Sequence, residues 1–324
     1  VLFRKSIKPE INQEMFSHGH YLYKTLISDF VTLKTENIYI LPDKFLYALP
    51  FHALPMINKN TNTKDENKWL GLKYNISFLT TINRNKSKIF DKEYSFFGVG
   101  DPVFHPNKNT QTILGNLFTS NRGLSMNIQG YQRLPHTALE IQSIASMNIF
   151  KNSKILLGKD ATETRIKNSK NIENASIISF ATHGLVSGEM NSHSEPGMLM
   201  TKSNKINDNG YLTMTEISSL KLRSDLVILS ACNTASSMSK NTSPFSGLAS
   251  AFLSAGSSKV LASMWSVDSK STYLLMKSIL NEVDKKTKNI KQAQFRGIKS
   301  FIKKYSRYKS PYFWGGFMLF GTSI

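Results

Sequence analysis

The sequence is poor in cysteine: Cys232 is the single one among 324 residues. One thiol cannot form an internal disulfide, and it cannot provide a cysteine-rich metal site. The seven histidines are scattered along the chain, without further ligands at metal spacing. We therefore expect neither a metal nor a cofactor. A lone reduced cysteine is typical of a cytoplasmic protein.

Long apolar runs are also missing. No run approaches the roughly 18 residues that a helix needs to cross a bilayer. The basic start, residues 1–6, has no long apolar segment behind it, so it does not resemble a signal peptide. The chain begins with Val rather than Met, so the sequence is compatible with a further segment upstream. We expect a cytoplasmic protein without membrane partners.

Acidic residues are few: 22, against 41 lysines and arginines, for a net charge of +19. After Asp284 there is none, while ten basic residues follow: Lys285, Lys286, Lys288, Lys291, Arg296, Lys299, Lys303, Lys304, Arg307 and Lys309. A run of basic residues of this kind is typical of the solvated face of a helix. The alternative is a basic surface that binds nucleic acid or an acidic protein. Because no recognition motif or aromatic stacking platform accompanies the charge, direct nucleic-acid binding is not favoured.

The first 90 residues predict a smaller N-terminal α/β part. Residues 1–36 have apolar residues at helical spacing, residues 37–54 read as two strands around a Pro42-Asp43 turn, and residues 74–82 read as a third strand. A polar Lys/Asn stretch near residue 90 marks the boundary. We expect this helix and hairpin region, 1–90, to pack on a core formed by residues 91–324.

From residue 94 onward, apolar strands alternate with helices. Residues 94–100, 153–158, 175–182, 225–231, 258–267 and 312–321 read as strands, with helices between them. Pro135 is expected to open one helix, Thr162 and Asp268 to cap two others, and Gly256 to end another. This alternation predicts a three-layer α/β sandwich, with a mostly parallel central sheet and helices on both faces.

Two of these strands end at reactive side chains. The first runs to Phe-Ala-Thr-His-Gly (180–184), and the second to Leu-Ser-Ala-Cys-Asn (229–233). Ligands of parallel sheets bind beyond the carboxyl ends of the strands, so His183 and Cys232 are expected at one rim. A cysteine nucleophile needs a neighbouring base, and the histidine can activate the thiol and then protonate the leaving amine.

Gly184 follows the histidine directly. Without a Cβ, its backbone N–H can approach a substrate carbonyl closely, and with the N–H of Cys232 it can form an oxyanion hole. No third catalytic carboxylate is evident. The alternative interpretation is structural, because a lone cysteine among apolar residues is often a buried small side chain, and a histidine after a strand is often a satisfied core group.

At these residues the sequence resembles the CHAT family, caspase-like peptidases related to separase. The histidine and cysteine stretches both resemble family motifs, and further blocks in the same order extend the resemblance from about residue 38 to 320. These further blocks are residues 46–54, 100–102, 134–140, 210–217, 247–256, 263–268 and 311–317.

The resemblance implies a caspase-like fold and a cysteine endopeptidase that cleaves a protein substrate, with Cys232 as nucleophile and His183 as general acid and base. It also implies regulation by an upstream domain or partner such as tetratricopeptide repeats. Residues 185–209 and 233–246 beside the dyad read as loops, which fits a site ordered by binding.

One departure from the family concerns substrate choice. Many relatives carry a second acidic residue after Trp-x-Val-Asp, whereas this chain has Ser269. Asp101 and Asp268 remain candidates for binding a basic substrate side chain. Their structural alternatives are a Gly-Asp-Pro turn and a helix N-cap.

Two other functions are the alternatives to a cysteine peptidase. A non-catalytic interaction module would use the basic C-terminal face to bind nucleic acid or an acidic protein. A serine α/β hydrolase is disfavoured, because no Gly-x-Ser-x-Gly elbow follows a strand.

Overall fold

The computed structural model describes residues 2–58, 68–83, 94–104, 131–185, 195–205, 208–230, 244–265, 267, 269–283 and 289–323. Cys232 and Asp268 lie outside these ranges. The strands are β1 Asn37–Ile40, β2 Asn75–Asn83, β3 Ser95–Gly100, β4 Asn152–Leu157, β5 Ile177–Ala181, β6 Gly184–Leu185, β7 Gly197–Leu199, β8 Tyr211–Thr213, β9 Leu226–Leu229, β10 Lys259–Ser263 and β11 Phe317–Ser323. The α-helices are α1 Leu2–Ser6, α2 Gln13–Leu26, α3 Leu70–Lys73, α4 His136–Ala145, α5 Glu163–Lys167, α6 Lys170–Asn174, α7 Met214–Ser218, α8 Pro244–Ser254, α9 Ser269–Asn281 and α10 Ile290–Lys304.

Within the described ranges, eight strands form the central sheet in the order β1-β2-β11-β10-β9-β5-β3-β4. Neighbouring strands run parallel except at the β10–β11 pair, which is antiparallel. The central strands β5 and β9 are buried along their whole length. Continuous apolar runs suit strands covered on both faces, so the predicted mostly parallel sheet is confirmed.

The register shows that helices cover both faces. Gly98 faces α4, where an added Cβ would lie 2.5 Å from Ile141. Its partner in β5 is Ser179, which therefore faces the same side. The next residue, Phe180, points to the opposite side and packs its ring 5.3 Å from Phe252 of α8. Helices α4 and α8 thus lie on opposite faces, which confirms the three-layer α/β architecture.

The N-terminal part differs from the expected hairpin. Strand β1 pairs with β2 in parallel, and both extend the central sheet. The second strand predicted within residues 37–54 is wrong, because Lys44–Ala48 and Phe51–Ala53 form 3-10 helices. Prolines at 42, 50 and 55 remove backbone donors that a strand would need. The boundary near residue 90 falls outside the described residues and stays a prediction.

Most other elements lie close to where the sequence places them. Thr162 caps α5 by accepting a hydrogen bond from the backbone N–H of Arg165. Pro135 immediately precedes α4, and Gly256 follows the end of α8. The region 185–209 is less irregular than expected, because it contributes β7 to a small antiparallel sheet, β6-β7-β8. The predicted capping role of Asp268 lies outside the described residues.

Gly256 provides a test of the junction between α8 and β10. Its φ is +111°, and an added Cβ would lie 2.3 Å from the carbonyl oxygen of Leu222. We expect Gly256→Ala to lower the free energy of unfolding by about 2 kcal/mol or more, because backbone strain and a backbone clash add. Urea denaturation measures this change through the midpoint at constant m-value.

Gly158→Ala is the matched control, because Gly158 also has a positive φ, +57°, but nothing lies within 4 Å of an added Cβ. It should lose only about 1 kcal/mol. Equal losses of unfolding free energy in the two variants would contradict a clash between the added Cβ at position 256 and the Leu222 carbonyl.

Candidate active site

His183 lies two residues beyond the carboxyl end of β5, at the expected rim of the sheet. Its side chain is buried, with 4% of the residue exposed. The aromatic rings of Phe104 and Tyr131 lie against the imidazole, with ring centroids 5.8 and 5.5 Å away. Contacts with these two rings therefore hold the imidazole of His183. They provide no hydrogen-bond partner for its two ring nitrogens.

A backbone carbonyl sets the tautomer of His183. The Nε2 atom lies 2.7 Å from the carbonyl oxygen of Gln132. Since a carbonyl only accepts hydrogen bonds, Nε2 carries the proton and Nδ1 is left with its lone pair. Nδ1 is buried and has no hydrogen-bond partner among the residues that the structure describes. Burial lowers the pKa of the His183 imidazole, and the bond to Gln132 partly offsets this effect. The ring is thus a neutral base with one free nitrogen.

The backbone of Gly184 belongs to β6, next to the histidine. The N–H of Leu199 donates to the carbonyl of His183 at 2.9 Å, which makes residues 183 and 199 a hydrogen-bonded pair of the antiparallel ladder. Gly184 faces Met198 in the next, non-hydrogen-bonded pair. In such a pair the N–H groups point away from the partner strand. The Gly184 N–H is therefore directed to the outer edge of β6, which is an edge strand of the small sheet.

Cys232 lies outside the described residues, but strand β9, which leads to it, lies next to the strand that leads to His183. Strand β9 pairs in parallel with β5, with Leu229 opposite Phe180. Ser230, which is two residues before the cysteine, donates its N–H to the carbonyl of Phe180. The chain thus leaves β9 beside the end of the strand that carries His183.

Asp101 follows β3 at the same rim, and its carboxylate already has a partner. Arg133 donates two hydrogen bonds to it, Nε to Oδ1 and a terminal guanidinium nitrogen to Oδ2, both at 2.7 Å. Asp101 is buried, whereas half of the Arg133 side chain is exposed. A basic substrate side chain would have to displace Arg133, so the predicted substrate-binding role of Asp101 is untested. The same role of Asp268 lies outside the described residues.

Glu140 is a buried group to which the sequence interpretation assigned no role. It lies on α4 with 4% of the residue exposed, and its Oε1 has no hydrogen-bond partner in the described part of the chain. Ser230 is beside it, on the face of the sheet that α4 covers. Among the described residues, the Ser230 hydroxyl also lacks a partner with hydrogen-bond geometry. Burial raises the pKa of the Glu140 carboxyl to about 7, and Ser230 partly opposes this. The one sequence signal is a glutamate among the apolar residues of this helix.

The described residues contain no group of three or more histidine, aspartate or glutamate side chains placed to hold a metal ion. In the same part of the chain, no helix combines the length and the apolar character needed to cross a membrane.

The fold and this rim define an α/β protein with a buried, oriented histidine at the carboxyl end of its sheet. A family model for the CHAT domain matches residues 2–322, so the chain belongs to the CHAT domain family. No curated protein matches this chain in sequence.

Three solved structures resemble the chain over much of its length. The Arg-specific cysteine proteinase gingipain R has 9% identity and a TM-score of 0.45, covering 98% of this chain and 69% of that one. The complex of the pro- and mature domains of Porphyromonas gingivalis RgpB has 11% identity and a TM-score of 0.45, covering 97% and 69%. Separase in the Saccharomyces cerevisiae separase–securin complex has 11% identity and a TM-score of 0.41, covering 85% of this chain and 15% of separase.

Glu140 makes the stability of the protein depend on pH in a defined direction. Its pKa is about 7 in the folded chain and 4.5 in a model peptide, so between these values the folded state binds a proton that the unfolded state has lost. The free energy of unfolding therefore falls as pH rises through this window, by about 3 kcal/mol for this group. Glu140→Gln should remove the dependence, and urea denaturation from pH 4.5 to 8 measures the difference from the wild type.

The same substitution at an exposed glutamate, Glu14→Gln, is the matched control. Its stability difference from the wild type should be nearly constant with pH. A constant difference for Glu140→Gln as well would show that the carboxyl is not protonated in the folded protein near pH 6.

Proposed function

We propose that the protein is a cysteine endopeptidase that cleaves a protein substrate through a Cys232–His183 dyad. The observation that carries this proposal is the hydrogen bond from His183 Nε2 to the Gln132 carbonyl. A histidine held in one tautomer, with the other nitrogen free, is the arrangement that a general base requires. His183 also lies two residues beyond β5, beside the end of strand β9, which leads to Cys232.

In this mechanism Nδ1 of His183 accepts the proton of the Cys232 thiol, and the thiolate attacks the carbonyl carbon of the scissile peptide. A tetrahedral intermediate forms, and its oxyanion accepts hydrogen bonds from the N–H groups of Gly184 and Cys232. The imidazolium then gives its proton to the leaving amine, which produces a thioester. Water, activated by the same histidine, hydrolyses the thioester and frees the thiol.

The edge position of Gly184 supports its part in this scheme, because its N–H is directed away from β7. An upstream domain or partner, such as tetratricopeptide repeats, would regulate the enzyme.

The single cysteine makes the dyad testable without a known substrate, because every thiol reaction reports Cys232. We expect iodoacetamide to alkylate the wild type at pH 6.5 about tenfold faster than His183→Ala, since the histidine lowers the pKa of the thiol. The two rates should converge near pH 9, where an unassisted thiol ionises. Mass spectrometry of the intact protein follows the reaction.

His136→Ala is the control, because His136 is exposed at the start of α4 in the same region. It should react like the wild type. If the His183→Ala and wild-type profiles coincide across the pH range, the dyad is not formed in the isolated chain. Repeating the measurement with the upstream region restored then decides whether the dyad forms at all.

A second candidate function rests on the outer face of α10 and the residues after it. Five exposed cations lie there, and none of them has a carboxylate ion-pair partner among the described residues: Arg296, Lys303, Lys304, Arg307 and Lys309. The buried side of α10 packs on the core, so Arg296, Lys303 and Lys304 lie on its outward side, and Arg307 and Lys309 follow shortly after the helix. An interaction module would bind a polyanion, either nucleic acid or an acidic protein, through this surface.

This second function predicts binding that depends on salt but not on the cysteine. A labelled single-stranded DNA and a polyglutamate should bind at 50 mM salt and weaken at least about tenfold at 200 mM. Reversing the charge of Lys303, Lys304 and Arg307 to Glu should abolish binding, whereas Cys232→Ala should not change it. Fluorescence anisotropy measures both. An absence of binding at 50 mM salt would dismiss the function.

A further inference from the structure

The ion pair between Asp101 and Arg133 lies one residue from the carbonyl that orients the histidine. Arg133 follows Gln132 directly, and Tyr131, which precedes it, packs its ring on the imidazole. Residues 131–133 therefore contact His183 from two sides and are tied by the two hydrogen bonds of Arg133 to the end of β3. Neither Gln132 nor Arg133 is buried, so packing alone does not hold this segment.

The position of Asp101 is itself held in an uncommon way. Its φ of +51° is the one positive value of a non-glycine residue in the described part of the chain. The following Pro102 favours an extended conformation at this position, so the observed backbone is strained. Thr137 stabilises it: its Oγ1 accepts the N–H of Asp101 at 2.8 Å and donates to the carbonyl of Leu134 at 2.7 Å.

These contacts form a closed ring. From Asp101 the ring passes through Thr137 to Leu134, back along the chain to Arg133, and returns through the guanidinium to the carboxylate of Asp101. Gln132, whose carbonyl accepts the Nε2 proton of His183, immediately precedes Arg133, the residue at which the chain enters the ring. Bidentate Arg–carboxylate pairs fix direction as well as distance, and a buried carboxylate makes the pair hard to break.

We propose that the Asp101–Arg133 pair is a positioning device for the catalytic histidine. It holds the Gln132 carbonyl on Nε2 of His183, and so keeps Nδ1 deprotonated and free. This inference rests on the proposed peptidase function and assigns Asp101 and Arg133 to positioning the base instead of binding substrate.

The primary test replaces Asp101 with Asn, which tolerates a positive φ and keeps the size of the side chain. In protein with ¹⁵N-labelled histidine, the His183 signals, assigned with His183→Gln, should move from the Nε2–H tautomer toward a mixture of both. The rate of Cys232 alkylation at pH 6.5 should fall about tenfold, the equivalent of one pKa unit of the thiol. Arg133→Gln should have the same effects.

The double variant Asp101→Asn/Arg133→Gln should be no worse than either single variant, because both changes remove one shared interaction. Arg133→Lys should give intermediate values, since one ammonium cannot reproduce two parallel hydrogen bonds. Arg165→Gln is the matched control: Arg165 pairs with Asp160 at 3.0 Å, but both side chains are more than half exposed. It should match the wild type in both measurements.

The alternative, a pocket for basic substrates, gives the opposite pattern. Asp101→Asn would then raise KM for peptides with Arg or Lys before the cut and leave the tautomer and the alkylation rate unchanged. Arg133→Gln would lower that KM by freeing the carboxylate. A wild-type tautomer in folded Asp101→Asn overturns our proposal.

Two further outcomes remain decisive. If Asp101→Asn fails to unfold cooperatively, Arg133→Lys takes its place, and wild-type values there overturn the proposal. If His183→Ala alkylates like the wild type, the dyad is not formed in the isolated chain, but the tautomer measurement still tests the positioning of the ring.

Discussion

The parallel pairing of β5 between β3 and β9 is the constraint on which the site depends. In this register Gly100 lies opposite Ala181, and the N–H of Ser230 donates to Phe180, so the three strands end at one level. The residues that follow the strands are therefore brought together at one rim: Asp101 after β3, His183 after β5 and the segment leading to Cys232 after β9. A shift of one residue in β5 would turn its side chains to the other face and separate these groups.

Three buried polar atoms at the rim have no hydrogen-bond partner among the described residues: Nδ1 of His183, Oε1 of Glu140 and the hydroxyl of Ser230. This property is not confined to the rim, because Nδ1 of His18, His20 and His52 is also buried without a partner in the same part of the chain. What distinguishes His183 is its position, two residues beyond the end of β5 and beside the end of β9.

Several stretches that resemble CHAT motifs have structural roles around this rim. In residues 210–217, Gly210 adopts a φ of +82° and Thr213 forms a capping box with Glu216. Lys167 bridges Glu216 and Glu163, which ties the stretch to α5. These contacts hold β8 in the small sheet that also contains Gly184. The stretches outside the histidine and cysteine motifs that resemble the family therefore include residues that support the site.

The sequence alone determined the layered α/β class, most strand and helix positions after residue 94, and the pairing of His183 with Cys232 as candidates, because apolar periodicity and strand-end residues are local signals. It did not reveal the partner of His183, since that partner is a backbone carbonyl, which every residue has. It also could not reveal that Arg133 pairs with the carboxylate of Asp101, or that Glu140 is buried beside Ser230. Only the tertiary structure decided these contacts, because they join segments that lie 32 to 90 residues apart along the chain and meet only where the strands end.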